Sequence, residues 1–366
     1  MKVTLILPSQ KSVHSVFYEN YSNLCNALKE LSVDCDIIEV RLTGNAKFPF
    51  GSVREIGIGE LYDVLKSENG TDAFFITVDD YDMMRWLEKQ ETFRNMIIWA
   101  HYFYGHRYIF KSYRLRREPL TLTVREKVKS VISGYVPSNL AIFQSSFYWK
   151  ALKRYPVFSQ SIWTSLLLER VFDIPVLGIV LTPVDTRLFS FNLSNEREGI
   201  LVFLGDASDT DLAALHRVLK LVDESCRGSI DYFGNEETGK MFENTYGIRM
   251  NFIGKVSRED LVKQYSSHFI TIAPVFNGNF EMVPIQSLLS GTPVITYTQP
   301  FMEVTGNDIM IANIHNRIEI LEKISIWKNL DVRIRERMRS VILEKMGEKR
   351  VAGDLLHAMS GLNVDQ

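Results

Sequence analysis

NGNFEMVPIQSLLSGTPVITY spans residues 277–297. Its last part, Thr292–Tyr297, is a short apolar run and reads as a strand. Pro284–Ser290, just before it, reads as a helix. Pro284 suits the first helical turn, where a missing N–H costs little. A helix running straight into a strand is half of an α/β unit, so the rest of the chain decides how often that unit repeats.

Upstream, Phe269–Val275, Arg249–Lys255, Ser229–Asn235 and Ile200–Asp206 are apolar runs of strand length, with helical segments such as Asp209–Val222 and Arg258–Ser266 among them. A polar stretch, Phe191–Gly199, reads as a linker. On its other side the alternation starts again, with candidate strands at Lys2–Leu7, Cys35–Val40, Asp72–Val78, Met96–His101 and Leu140–Ser145. Phe17, Tyr21, Leu24, Leu28 and Leu31 recur at steps of four and three, one face of a helix. Phe147–Tyr155 and the charged segment from Val332 to Met359 are also helical. Short apolar runs alternating with helices indicate parallel sheets covered on both faces. The fold class is therefore α/β with two doubly wound, Rossmann-like domains in tandem. In such sheets ligands bind beyond the carboxyl ends of the strands.

The bulk properties agree. A chain of 366 residues suggests about two domains. With 46% hydrophobic and 23% charged residues it is an ordinary globular chain, and a net charge of -2 gives no reason to expect a nucleic-acid partner. Cys25, Cys35 and Cys226 are widely spaced and odd in number, so they read as separate small buried hydrophobes in a reducing compartment. The first apolar run stops at Pro8, too short for a signal peptide, and no apolar stretch is long enough to span a bilayer. These features point to the cytoplasm.

Four segments carry a family resemblance. AIFQSSFYWKAL (141–152) is similar to a strand-Ser-helix element, and LTPVDTRLF (181–189) to an Asn-Gly-Val-Asp-Thr-x-x-Phe turn. NFIGKVSREDLVKQYSSHFITIAPV (251–275) and FEMVPIQSLLSGTPVI (280–295) supply the later strands and helices. In order and spacing they resemble the GT-B fold and, within it, the retaining glycosyltransferases of family 4. The resemblance implies an acceptor-side domain at 1–190, a nucleotide-sugar domain at 191–345 and a final helix at 346–366 crossing back to the first domain. The two domains would face a cleft.

The resemblance also implies a donor site. The N–H groups of Glu281, Met282 and Val283 would meet the donor diphosphate at a helix start, where the dipole favours anions. Two family glutamates are altered: Gln286 stands where one holds the ribose, and Gly278 where the other contacts the sugar. Glutamine still accepts and donates a hydrogen bond. Asn277 and Glu281 are close enough in sequence to replace the lost sugar contact. Gly205 keeps the glycine of a Gly-Arg pair, but Asp206 occupies the arginine position. Asp209 and Asp211 fall where the family has a lysine, and carboxylates there would repel a diphosphate. Lys255, then Arg258 and Arg187, are the substitute cations. IIWAHYFYG (97–105) resembles the family strand that ends in histidine, so His101 would lie by the transferred sugar as a hydrogen-bond partner; the alternative is a structural histidine. The donor would be a UDP- or GDP-sugar, with no cofactor and no metal, and its leaving phosphate would deprotonate the acceptor.

The stretch from His101 to Lys129 mixes aromatic and basic residues, with Tyr102, Tyr104 and Arg107 at its start. It suits a glycan, lipid or protein acceptor, or peripheral contact with anionic lipid headgroups; it equally suits a solvated face with packed aromatics. Asp79-Asp80-Tyr81-Asp82 contains the Asp-x-Asp of a different, metal-dependent transferase fold, and here reads as a polar helix start. Besides transfer, the altered glutamates and the missing basic pair leave open a noncatalytic sugar- or nucleotide-binding or scaffold protein. A nucleotide-sugar epimerase is a third reading.

Overall fold

The computed structural model describes residues 1–9, 14–41, 54–68, 71–76, 81–90, 93, 95–100, 147–189, 197–205, 207, 210–222, 228–254, 256–275, 282–306 and 308–362. These form two compact units. The first holds the described residues up to Asp185 and those from Met346 onward; the second holds Thr186–Lys345.

In the first unit, β1 (Lys2–Ser9), α1 (His14–Glu30), β2 (Asp34–Arg41), β3 (Arg54–Gly57), α2 (Leu61–Ser67), β4 (Ala73–Ile76), α3 (Tyr81–Lys89) and β5 (Met96–Ala100) follow one another. After them come α4 (Phe147–Arg154), β6 (Val157–Ser159), α5 (Ile162–Phe172) and β7 (Gly178–Ile179). The described strands form one sheet in the order β3-β2-β1-β4-β5-β6-β7. Its described pairings are all parallel; Leu5 pairs with Ile37 on one side and with Phe75 on the other. The apolar runs are strands because both faces are covered, as the all-buried β4 and β5 illustrate. The candidate strand Leu140–Ser145 lies outside the described residues.

The second unit runs β8 (Ile200–Leu204), α6 (Leu212–Val222), β9 (Ile230–Gly234), α7 (Glu236–Tyr246), β10 (Asn251–Phe252), α8 (Arg258–Ser267), β11 (Ile270–Ala273) and α9 (Met282–Leu289). It continues with β12 (Val294–Thr296), α10 (Met302–Thr305), β13 (Ile311–Asn313), α11 (Arg317–Trp327) and α12 (Val332–Met346). The sheet order is β10-β9-β8-β11-β12-β13, again parallel throughout its described pairings. Both sheets reverse direction beside their first strand, the doubly wound order with its switch point there.

The helical segment Val332–Met359 consists of two helices. Gly347 separates α12 from α13 (Glu348–Leu362). Val351, Ala352, Leu355 and Met359 of α13 join the core of the first unit with Leu5, Tyr21, Leu24 and Trp99.

One expectation is overturned in this core. Cys25 on α1 and Cys35 on β2 form a disulfide, with Cα atoms 5.3 Å apart. Both are buried, as expected of hydrophobes, but they are not separate. The chain turns back through Ser32, whose φ of 63° is left-handed, and lays β2 beside β1, which brings the two sulfurs together.

Candidate functional site

In the second unit the switch point lies between β8 and β11, and their carboxyl ends are joined. Thr210 bridges Val275, and the Asp211 N–H donates to the Pro274 carbonyl at 2.8 Å. Gly205 follows β8 directly. A Cβ at this position would lie 3.3 Å from a Val275 methyl, so glycine permits this close passage. Asp211 caps α6 by accepting from the Ala214 N–H at 2.8 Å. Its other oxygen accepts from the Tyr297 hydroxyl at 2.6 Å, and His315 Nε2 lies 3.7 Å from it. Tyr297 and His315 follow β12 and β13, so a polar cluster occupies the carboxyl edge from β8 to β13.

Helix α9 begins on this same edge, because it follows β11. All eight of its residues are buried. Pro284 is its third residue, among the positions whose N–H has no partner within a helix. Ser287 pins the helix to the sheet by donating to the Thr292 carbonyl at 3.0 Å while its hydroxyl pairs with that of Thr271 at 2.8 Å. Gln286, 4% exposed, accepts from the Tyr265 hydroxyl at 3.4 Å through Oε1. Burial pushes the Tyr265 phenol far above its ordinary pKa, so it remains a donor.

The other end of α9 accounts for the Ser-Gly-Thr-Pro sequence. Gly291 has φ 76°, the Thr292 N–H bonds the Ser287 carbonyl, and the Gly291 N–H bonds the Leu288 carbonyl. This is a Schellman stop, for which glycine is the favoured residue. Three carbonyls at this end, those of Leu289, Ser290 and Gly291, each receive a guanidinium. Arg339 bonds Leu289 O at 3.0 Å, Arg197 bonds Ser290 O at 3.2 Å, and Arg335 bonds Gly291 O. Arg197 also reaches Thr292 Oγ1. Burial lowers the Arg197 pKa to about 10, helped by the neighbouring charge of Arg335. Burial alone lowers Arg335 and Arg339.

The sequence matches no protein-family model and no curated protein. In structure the chain is similar to sucrose-phosphate synthase from Thermosynechococcus elongatus, with a TM-score of 0.70, 14% identity and 100% of each chain covered. It is also similar to the lipopolysaccharide outer core galactosyltransferase WaaB, with a TM-score of 0.64, 10% identity, and 99% of this chain and 100% of that one covered. A third similar structure is an alpha-glucosyltransferase in complex with UDP and a 13-mer DNA, with a TM-score of 0.63, 10% identity, and 98% and 99% covered.

The chain has the GT-B fold.

Against that fold the sequence-derived residues divide into three groups. Gly205, Met282, Val283 and Gln286 belong to the switch-point edge of the second GT-B unit or to the helix that starts there. Arg258 is the first residue of α8, buried, with its guanidinium held below its ordinary range by desolvation. His101, Tyr102, Tyr104, Arg107, Lys255, Asn277, Gly278 and Glu281 lie outside the described residues, as do Asp206 and Asp209. Asp211, expected to repel a diphosphate, is held in place as the α6 cap and by the Tyr297 hydroxyl. Sequence reasoning missed Tyr297, His315 and the three arginines. Arg197 was read as part of the linker, yet it is buried in the second unit.

Proposed function

We propose that this protein is a glycosyltransferase that moves a sugar from a nucleoside-diphosphate donor, a UDP- or GDP-sugar, to an acceptor hydroxyl. The observation carrying this reading is α9, which opens on the carboxyl edge of the second sheet beside its switch point, in a chain whose structural neighbours are glycosyltransferases. The first N–H groups of α9, at Met282 and Val283, with that of Glu281, would hold the diphosphate. Gly205 would let the chain pass close to it. Gln286, steadied by Tyr265, would meet the ribose, and Asn277, Gly278 and Glu281 would line the sugar. Lys255 and Arg258 would add positive charge.

His101 would hydrogen-bond the transferred sugar. The C–O bond from the sugar to the diphosphate breaks as the acceptor oxygen bonds to the same carbon, and the leaving phosphate takes the acceptor proton. Retention of configuration and independence of metal belong to this reading. Tyr102, Tyr104 and Arg107 would face a glycan, lipid or protein acceptor.

Thermal unfolding with UDP, GDP, ADP, dTDP and their sugars tests the reading. A ligand at 100 times its dissociation constant adds about 2.7 kcal/mol of stability. A rise with UDP or GDP, followed by donor hydrolysis or transfer in a chromatographic assay, is expected. No rise with any nucleotide and no donor turnover would favour a noncatalytic protein with this fold.

A further inference from the structure

A diphosphate at the start of α9 needs positive charge, and the chain has Asp206 where the resembled family has arginine. Three guanidinium groups converge on the opposite end of the same helix. They arrive from separate parts of the second unit: Arg197 from the segment before β8, and Arg335 and Arg339 from one face of α12, four residues apart. Arg339 is held further by the carbonyls of Thr186, at 3.3 Å, and Phe189.

The partners of two of them are informative. Among the described residues, Arg335 and Arg339 bond only backbone carbonyls. A carboxylate in contact would cancel most of their field; a carbonyl dipole does not. Cations at a helix C-terminus neutralise the negative end of the dipole and leave the positive end at the start uncancelled. Eight residues span only about 12 Å, so the charges themselves also act at the helix start. Burial keeps water from screening them fully.

We propose that Arg335 and Arg339, with Arg197, are positioning residues for the donor: they fix α9 by its last carbonyls and supply along its axis the positive potential that holds a diphosphate at Met282–Val283. This rests on the donor reading given above, and it assigns the compensation for the absent basic pair to residues that touch no part of the ligand.

The test is isothermal titration with inorganic pyrophosphate, UDP and GDP, and with uridine and guanosine as uncharged controls. Arg339→Met removes the charge and keeps the aliphatic stem. Arg335→Gln removes the charge and keeps a polar amide on a shorter stem. Arg339→Lys keeps the charge. Each charge removed is expected to weaken pyrophosphate binding about tenfold, from one unit charge acting over about 12 Å at an effective dielectric of about 20. Nucleoside binding is expected to be unchanged, Arg339→Lys to bind like the wild type, and the salt dependence of the two neutralised variants to be shallower.

If Arg339→Met and Arg335→Gln bind pyrophosphate as tightly as the wild type, the inference is overturned and the donor reading stands. A wild type that binds neither pyrophosphate nor a nucleotide overturns both. Should Arg339→Met not fold, Arg335→Gln and Arg339→Lys decide. An equal loss in Arg339→Lys and Arg335→Gln would reduce the cluster to a structural clamp.

Discussion

Breaking the Cys25–Cys35 disulfide is expected to lower the stability of the first unit while leaving the second unit's transition in place. The bond closes a loop with a sequence separation of 10. Loop-closure entropy for about ten residues gives about 2.7 kcal/mol at 25 °C. For a unit of this size that corresponds to roughly 5–10 °C in midpoint. Cys25 and Cys35 are 5% and 1% exposed, so reductant reaches them only when the unit opens. The protein should therefore be reduced in denaturant, refolded with reductant present, and compared with oxidised protein by calorimetry. Mass spectrometry after alkylation then counts free thiols in each sample. The Cys25→Ala/Cys35→Ala double variant should fall below reduced wild type, because it also removes two buried sulfur atoms from the core. If mass spectrometry shows the bond broken and neither transition moves, the entropic reasoning is wrong. If oxidised protein carries three free thiols, the pairing itself is wrong.

Three further outcomes are expected. Tyr297→Phe removes a donor from the buried Asp211 carboxylate and should cost about 1–3 kcal/mol in denaturant unfolding; no loss would mean that solvent or His315 replaces the hydroxyl. Gln286→Ala should weaken binding of UDP or GDP about tenfold, for the loss of about 1.4 kcal/mol of polar contact, with the inorganic pyrophosphate affinity in calorimetry unchanged. Burial works to raise the Asp231 carboxyl, but hydrogen bonds from Asn251, His268 and Ser229 outweigh it and hold the pKa below the ordinary value. Its stabilisation is then fully present above the unfolded pKa of about 3.9 and is lost as pH falls through the lower folded value. Acid unfolding of Asp231→Asn should be correspondingly less steep below about pH 4 than that of wild type; identical acid limbs would refute this.

Much of the fold is legible because its signals are local. Runs such as Ile200–Leu204 and Ile270–Ala273 stand out because a strand covered on both faces has little use for polar residues. The strands that escape notice are short ones, among them Gly178–Ile179, Val157–Ser159 and Ile311–Asn313. Two or three residues carry no periodicity, and their pairing partner defines them. Composition does not mark the break at Gly347, because α12 and α13 are both charged and helical; only the resemblance, with its separate final helix at 346–366, points to it.

The donor helix draws the same line within a few residues. Its stop is written in the chain: Gly291 adopts the left-handed turn and Pro293 follows, both as consequences of backbone sterics that act locally. Its stabilising guanidinium groups are not. Arg197, Arg335 and Arg339 lie 93, 44 and 50 residues from the carbonyls they bond, and nothing in their local sequence separates them from the other arginines. Asp211 makes the point in reverse. Its charge is plain from the sequence and suggests repulsion of a phosphate, yet what that charge does depends on Tyr297, 86 residues away. Backbone preference and hydrophobic period depend on near neighbours, so residue order was enough to reach two doubly wound domains. Hydrogen bonds, ion pairs and disulfides depend on which distant groups are brought within a few ångströms, and packing of the sheets and helices made those choices.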